Sequence, residues 1–194
     1  MSNRDQILDA IRSGKPAHQP LPDLDFSSPN EVDLVETYKT SLEKNGGKFL
    51  LLASTALLDD FIMQNYPEAK RVEIMLKGRD GFKDIAPSED PHTLYNLDVV
   101  VVKGKIGVAE NAATWLQEED LVQRVVTFIT QHLIIILDRR DLVYSMHDAY
   151  ARIDPLSTGY GVFIAGPSKT ADIEQSLVIG AHGSRSLTVM MVNG

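Results

Sequence analysis

The chain has 194 residues, 43% of them hydrophobic, enough for one domain with a proper buried core. Nineteen basic residues against 27 acidic ones give a net charge of -8, which argues against nucleic acid as a partner, because a phosphate backbone requires a clustered positive footprint. With no cysteine, the chain forms no disulfide and offers no thiolate to an iron–sulfur cluster, so any redox centre it works with belongs to another protein.

The opening stretch MSNRDQILDAIRSGK lacks the apolar core of a signal peptide, and VVTFITQHLIIILD is interrupted by Gln131 and His132 short of membrane length. A cytoplasmic protein with no membrane span is the expectation. Ile7, Leu8, Ala10 and Ile11 recur at helical spacing and Gly14 supplies a stop, which predicts a short N-terminal helix. KPAHQPLPDLDFSSPN holds four of the nine prolines and reads as an arm or linker, so residues 1–29 are divided from a domain spanning 30–194. Asn30 is the expected cap of a helix through Val32, Val35, Tyr38 and Leu42 that ends at Gly46.

Beyond it, KFLLLA predicts a buried strand, STALLDDFIMQNY a helix, RVEIML a strand, and residues 77–92 a loop rich in Gly, Pro and Asp. LDVVVVKGKIGVAE contains two strands around a tight turn, HLIIILD is a central strand, and RRDLVYSMHDAYARI reads as the helix after it. GVFIAG and SLTVMMV then bracket a helix in a last right-handed strand–helix–strand unit. Near-continuous aliphatic strands between helices indicate a three-layer α/β domain with a mainly parallel sheet.

The most informative stretch is GPSKTADIEQSLVIGAHGSR, two polar loops placed at the two ends of the predicted last helix. Gly166 ends a strand, and Ser168, Lys169 and Thr170 lead toward a helix N-terminus, where free N–H groups and the dipole favour an anion. Helix capping by Ser168 or Thr170 explains the same residues without a ligand. Gly180 and Gly183 permit tight turns; Arg185 can hold a carboxylate or phosphate through two parallel hydrogen bonds or pair internally with Asp172; His182 can titrate near neutral pH or simply be solvated.

These residues carry a resemblance. The Gly-Pro-Ser-basic-Thr-Ala-Asp-Ile-Glu run followed by Gly-x-His-Gly resembles the C-terminal signature of the lactate-utilization protein C family, the LUD-domain proteins. Weaker similarity extends from the NEVDLVETY helix onward and includes LDVVVVKGKIGVAE. The resemblance implies a fold similar to the NagB/RpiA/CoA transferase-like group and a role in oxidising L-lactate to pyruvate beside iron–sulfur partner proteins, which would hold the clusters while this chain binds no cofactor of its own. The leading reading places a small carboxylate or phosphate ligand at Gly166, Ser168, Lys169, Thr170, His182, Gly183 and Arg185, with Glu110 and Asn111 as further ligand-binding candidates; no catalytic residue is assigned. One departure stands out: many members read Ala-Glu-Thr-Gly-Thr where this chain has Ala109, Glu110, Asn111, Ala112 and Ala113. Ala112 for glycine restricts any positive-φ backbone and two hydroxyls are lost, while Asn111 returns one amide.

Two readings follow: an accessory or substrate-binding subunit, or a stand-alone CoA-transferase- or isomerase-like enzyme using Glu110 as nucleophile or base, as the fold analogy suggests. Trp115 is either a pocket wall or core packing. The histidines at 18, 92, 132, 147 and 182 show no metal-ligand spacing, so no metal site is expected, and no phosphate-cradle motif of the Walker or Gly-x-Gly-x-x-Gly type is present. Glu118 to Asp120 and Asp138 to Asp141 read as solvated charges.

Overall fold

The computed structural model describes residues 2–16, 19–22, 32–52, 57–76, 90–154, 159–171, 177–180 and 182–193. Long aliphatic runs dictate its centre. β1 (Lys48–Leu52), β2 (Val72–Met75), β3 (Val99–Lys103), β6 (His132–Asp138) and β11 (Ser186–Val192) form a wholly parallel five-stranded sheet in the order β1-β11-β6-β3-β2. Successive side chains on a strand point to opposite faces. On one face Val100, Val102, Leu133, Ile135, Leu137, Leu187, Val189 and Met191 are buried, and on the other Val99, Val101, Ile134, Ile136 and Met190 are buried too.

Helix α3 (Leu58–Asn65) covers the second face through Leu58 and Ile62. The first face is covered jointly by α2 (Leu34–Lys44), through Tyr38 and Leu42, and by a second sheet. That sheet has the order β7-β4-β5-β8 and comprises β4 (Ile106–Val108), β5 (Thr114–Gln117), β7 (Leu142–Val143) and β8 (Gly161–Ile164). Its inner residues Ala109, Ala112, Leu116 and Leu142 join the central core, and its outer residues Ile106, Val108, Ala113 and Val143 pack on α5 (Met146–Arg152). The α/β architecture with a mainly parallel sheet is thus the one the sequence implies, with a small mixed sheet replacing part of a helical layer. The N-terminal α1 (Asn3–Ser13) is closed by a Ser2–Asp5 capping box and by Gly14, and none of its residues is buried. A short α4 (Val126–Ile129) leads into β6.

Three expectations are corrected. Where the two ends of the expected helix fall, strands form instead: β9 (Lys169–Ala171) and β10 (Leu177–Ile179) pair antiparallel between β8 of the small sheet and β11 of the central one, while residues 172–176 lie outside the described residues. Thr170, Val178 and Ile179 are β-branched and favour this extended pairing over helix. The helix expected from Arg139 is confined to Met146–Arg152, because Leu142 and Val143 pair with Gly107 and Val108 while Ser145 and Asp148 form a capping box that fixes its start. Asp33 caps α2 by accepting from the Val35 and Glu36 N–H groups; Asn30, most of the 77–92 loop and much of the proline-rich arm lie outside the described residues.

Among the described residues, one fully buried pair of side-chain hydroxyls spans the shared core. The Tyr38 hydroxyl, fully buried, is 2.5 Å from Thr114 Oγ1, and burial raises its pKa well beyond the ordinary phenol value. Tyr38→Phe should cost about 1–3 kcal/mol by leaving the Thr114 hydroxyl buried and unpaired, while Tyr38→Phe with Thr114→Val should recover part of that loss. Urea denaturation of both single variants and the double variant measures this; strictly additive losses would mean that the two hydroxyls are not coupled.

Candidate functional site

All five central strands start at one edge of the sheet, and polar residues that begin three of them, or immediately precede a fourth, gather there. In the register Ser186 pairs with His132, which also pairs with Val99, and Asp98 immediately precedes Val99. Lys48 opens β1 beside β11. Between these strand starts and the turn after α3 lies a cleft of about 490 Å³, within the range of small-molecule sites. Lys48, Tyr66, Asp98, His132, Arg185 and Ser186 line it, together with Glu68 and Gln131 among others.

His132 is the best-fixed of these groups. Its Nδ1 is 2.8 Å from Ser186 Oγ, and its ring lies against Tyr66 with centroids 4.6 Å apart and planes tilted by 35°. Burial lowers its pKa, with Arg185 and Lys48 acting in the same direction and Asp98 opposing them. The Asp98 carboxylate accepts from the Lys70 and Arg71 backbone N–H groups at 2.8 and 3.0 Å, which hold its own pKa down and keep it ionised. Among the described residues, neither Lys48 nor Arg185 has a carboxylate within ion-pair distance; Asp172, the internal partner considered for Arg185, lies outside those residues.

The motif residues build the wall beside this cleft. The Ser168 N–H donates to the Ser184 carbonyl at 2.9 Å, the Gly180 N–H donates to the Ser168 carbonyl at 3.1 Å, and the Arg185 N–H donates to the Gln131 carbonyl at 2.8 Å. Gly180 has φ 81°, and a Cβ there would collide with Arg185 Cγ, so glycine lets the arginine side chain lie across the turn. Gly166 passes so near α2 that a Cβ would sit 3.0 Å from the Asn45 carbonyl oxygen, and Gly183 lies against the Ser168 side chain. Lys169 is exposed beside Gly46, Thr170 is paired through its backbone in β9, and His182 is exposed. Of the candidate residues, Arg185 is the one that lines the cleft. The loops meet at the amino edge of the central sheet, without a helix N-terminus, and not at the carboxyl edge where ligands of open α/β sheets commonly sit.

Glu110 and Asn111 occupy a separate turn. Glu110 Oε1 accepts from the Met146 N–H at 2.7 Å, at the start of α5; Asn111 Oδ1 accepts from the Ala113 N–H at 2.9 Å. The Asn111 carbonyl accepts from Asn45 Nδ2 at 2.8 Å and the Ala109 carbonyl from Ser41 Oγ at 2.9 Å, which bolts the turn to α2. Ala112 adopts φ 59° despite its side chain, fully buried, because the Asn111 turn and these anchors over-determine the backbone. Trp115 packs on Phe163 at 4.8 Å and also lines a second cleft of about 300 Å³ with Asp141, whose pKa burial and Asp138 raise. Glu118 and Asp138 are ion-paired with Arg124 and Arg140, and Lys105 bridges Glu119 and Asp120, so these runs are not simply solvated charges.

Residues 29–192 match the LUD domain family. The chain belongs to that family. It is 26% identical over 98% of its length to the Lactate utilization protein C of Geobacillus sp. (strain WCH70), spanning 79% of that protein. To the Lactate utilization protein C of Shouchella clausii (strain KSM-K16) it is 34% identical over 87% of its length, spanning 73% of the relative, so within the LUD family it is a member of the lactate utilization protein C group. A crystal structure of a DUF162 family protein from Deinococcus radiodurans superposes with a TM-score of 0.60 at 15% identity, covering 82% of this chain and 96% of that one, a likeness of fold. Among the described residues no helix is long and apolar enough to cross a membrane.

Sequence reasoning missed Lys48, Tyr66, His132 and Ser186 as a group. The available signal was positional: three of them stand immediately before an aliphatic run, as Lys48 does before FLLL, His132 before LIIIL and Ser186 before LTVMM. Because the folded protein holds His132 below the usual imidazole pKa, the unfolded chain binds more protons near and below about pH 6.5, and stability contributed by this group is lost as pH falls through that range. The parent chain should therefore lose more melting temperature than His132→Gln between about pH 7.5 and 5.5. Scanning calorimetry measures the difference, and a larger loss in the variant would mean that Asp98 outweighs burial and the two cations.

Proposed function

We propose that this chain is an accessory or substrate-binding subunit of an iron–sulfur system that oxidises L-lactate to pyruvate, and that the amino-edge cleft holds the substrate carboxylate. The observation that carries this reading is the convergence of Arg185 and Lys48 on one cleft whose floor offers His132 and Ser186. A carboxylate placed between the two cations and beside the His132 imidazole gains charge-assisted contacts, and the Ser186 hydroxyl is suited to an adjacent hydroxyl or keto oxygen. The cleft exceeds lactate in size, leaving room for its hydration or for a segment of a partner protein. Lactate oxidation releases two electrons; a cysteine-free chain offers no thiolates for an iron–sulfur cluster, so that task is assigned to partner proteins, while the names of its relatives support the link to lactate utilization.

Removing the guanidinium tests the site. Arg185→Ala should weaken binding of L-lactate or pyruvate by about tenfold or more, as a charge-assisted contact contributes roughly 1.5–3 kcal/mol. Calorimetric titration is the measurement; unchanged affinity with a large fall in melting temperature would make Arg185 a purely structural residue. The subunit assignment is tested separately by copurification with iron analysis and by dye reduction: the pure chain should not reduce dye with lactate, and if it does so the accessory role fails.

A further inference from the structure

We infer that the amino-edge cleft takes up its carboxylate together with a proton, which is held on His132 while the ligand is bound. This deepens the reading of the cleft as a carboxylate site and rests on it.

The geometry makes His132 the responsive group. Tyr66 on one face and the Ser186 hydroxyl on Nδ1 hold the half-buried ring in place, so it cannot swing into solvent when its charge changes. The charged and titratable groups facing it come from every neighbouring element of the cleft: Lys48 from β1, Arg185 from the segment before β11, Asp98 from the segment before β3, and Tyr66 and Glu68 from the turn after α3. Asp98 is already engaged by two backbone N–H groups. Without a ligand, partial burial and the two cations, opposed by Asp98, favour neutral imidazole.

A bound carboxylate reverses that balance. Its negative charge, lodged between Arg185 and Lys48, offsets their repulsion of a third positive charge and presents an acceptor oxygen to the imidazole. A doubly protonated ring donates from both nitrogens, through Nδ1 to Ser186 Oγ and through Nε2 toward the ligand, which leaves the Ser186 proton free for an oxygen on the adjacent carbon. The proton comes from solvent on binding and returns to it on release. Linkage then requires affinity to rise as pH falls between the imidazole pKa of the bound and empty states.

Calorimetric titration of the full chain with L-lactate, in two buffers of different ionisation heat at about pH 7, reads the proton directly, and titrations at about pH 6 and 8 read the affinity. The expected results are net proton uptake and roughly tenfold tighter binding at the lower pH, tenfold corresponding to one unit of imidazole shift. In His132→Gln both effects should vanish while binding remains measurable. Binding that is independent of pH and buffer overturns the inference and leaves the carboxylate site intact, and so does proton uptake that persists in the variant. Failure of the folded parent chain to bind either lactate or pyruvate overturns the carboxylate site and this inference with it.

Discussion

Inner strands buried on both faces have no place for a charge within their span, and this constraint organises the rest of the molecule. In β3 and β6 the residues Val99–Val102 and Leu133–Leu137 are all buried, alternating between a face packed by α3 and a face packed by α2 and the small sheet. An unpaired charge at such a position would cost several kcal/mol, so polar chemistry is displaced to the strand ends. Since the five central strands are parallel, their first residues lie along a single edge, and Lys48, Asp98, His132 and Ser186 meet there although they are scattered along the chain.

The glycine-rich loops acquire their meaning from the same edge. Ser168, Gly180, Ser184, Arg185 and Gln131 are linked by backbone hydrogen bonds that join the β9–β10 hairpin to the start of β6. The result is a braced wall against which the Arg185 side chain lies over Gly180. The described motif residues Ser168, Gly180 and Ser184 thus fix the backbone around one guanidinium, an arrangement that needs glycine and small polar residues for close approach. The Glu110–Ala113 turn shows the same economy of means: carboxylate, amide and carbonyl groups join α2, α5 and the small sheet, and this bracing holds an alanine in a left-handed conformation.

Electrostatically the cleft departs from the chain as a whole. A protein of net charge -8 places two cations, Lys48 and Arg185, and a half-buried histidine at one recess with two carboxylates, Glu68 and Asp98, the latter engaged by backbone donors.

What the sequence by itself determined is the class of fold, the aliphatic strands of the central sheet, the absence of thiolate chemistry and the family, because each follows from residue type and local order. LDVVVV, HLIIILD and SLTVMMV form the buried central strands their aliphatic runs imply, whereas KFLLLA, expected as a buried strand, forms the edge strand β1 and leaves Leu51 exposed; the GPSKTADIE signature identifies the family even though strands pair antiparallel where a helix was read into it. That hairpin, the short strand at Leu142–Val143 and the second sheet were decided by tertiary pairing: a two- or three-residue strand has too little pattern to outweigh helical spacing until a partner strand supplies its hydrogen bonds. The cleft was likewise beyond local reading. Arg185 could be singled out from its motif, but Lys48, His132 and Ser186 are single polar residues before aliphatic runs, and only the parallel register of β1, β6 and β11 brings their side chains to one edge, where burial on either side leaves them nowhere else to face.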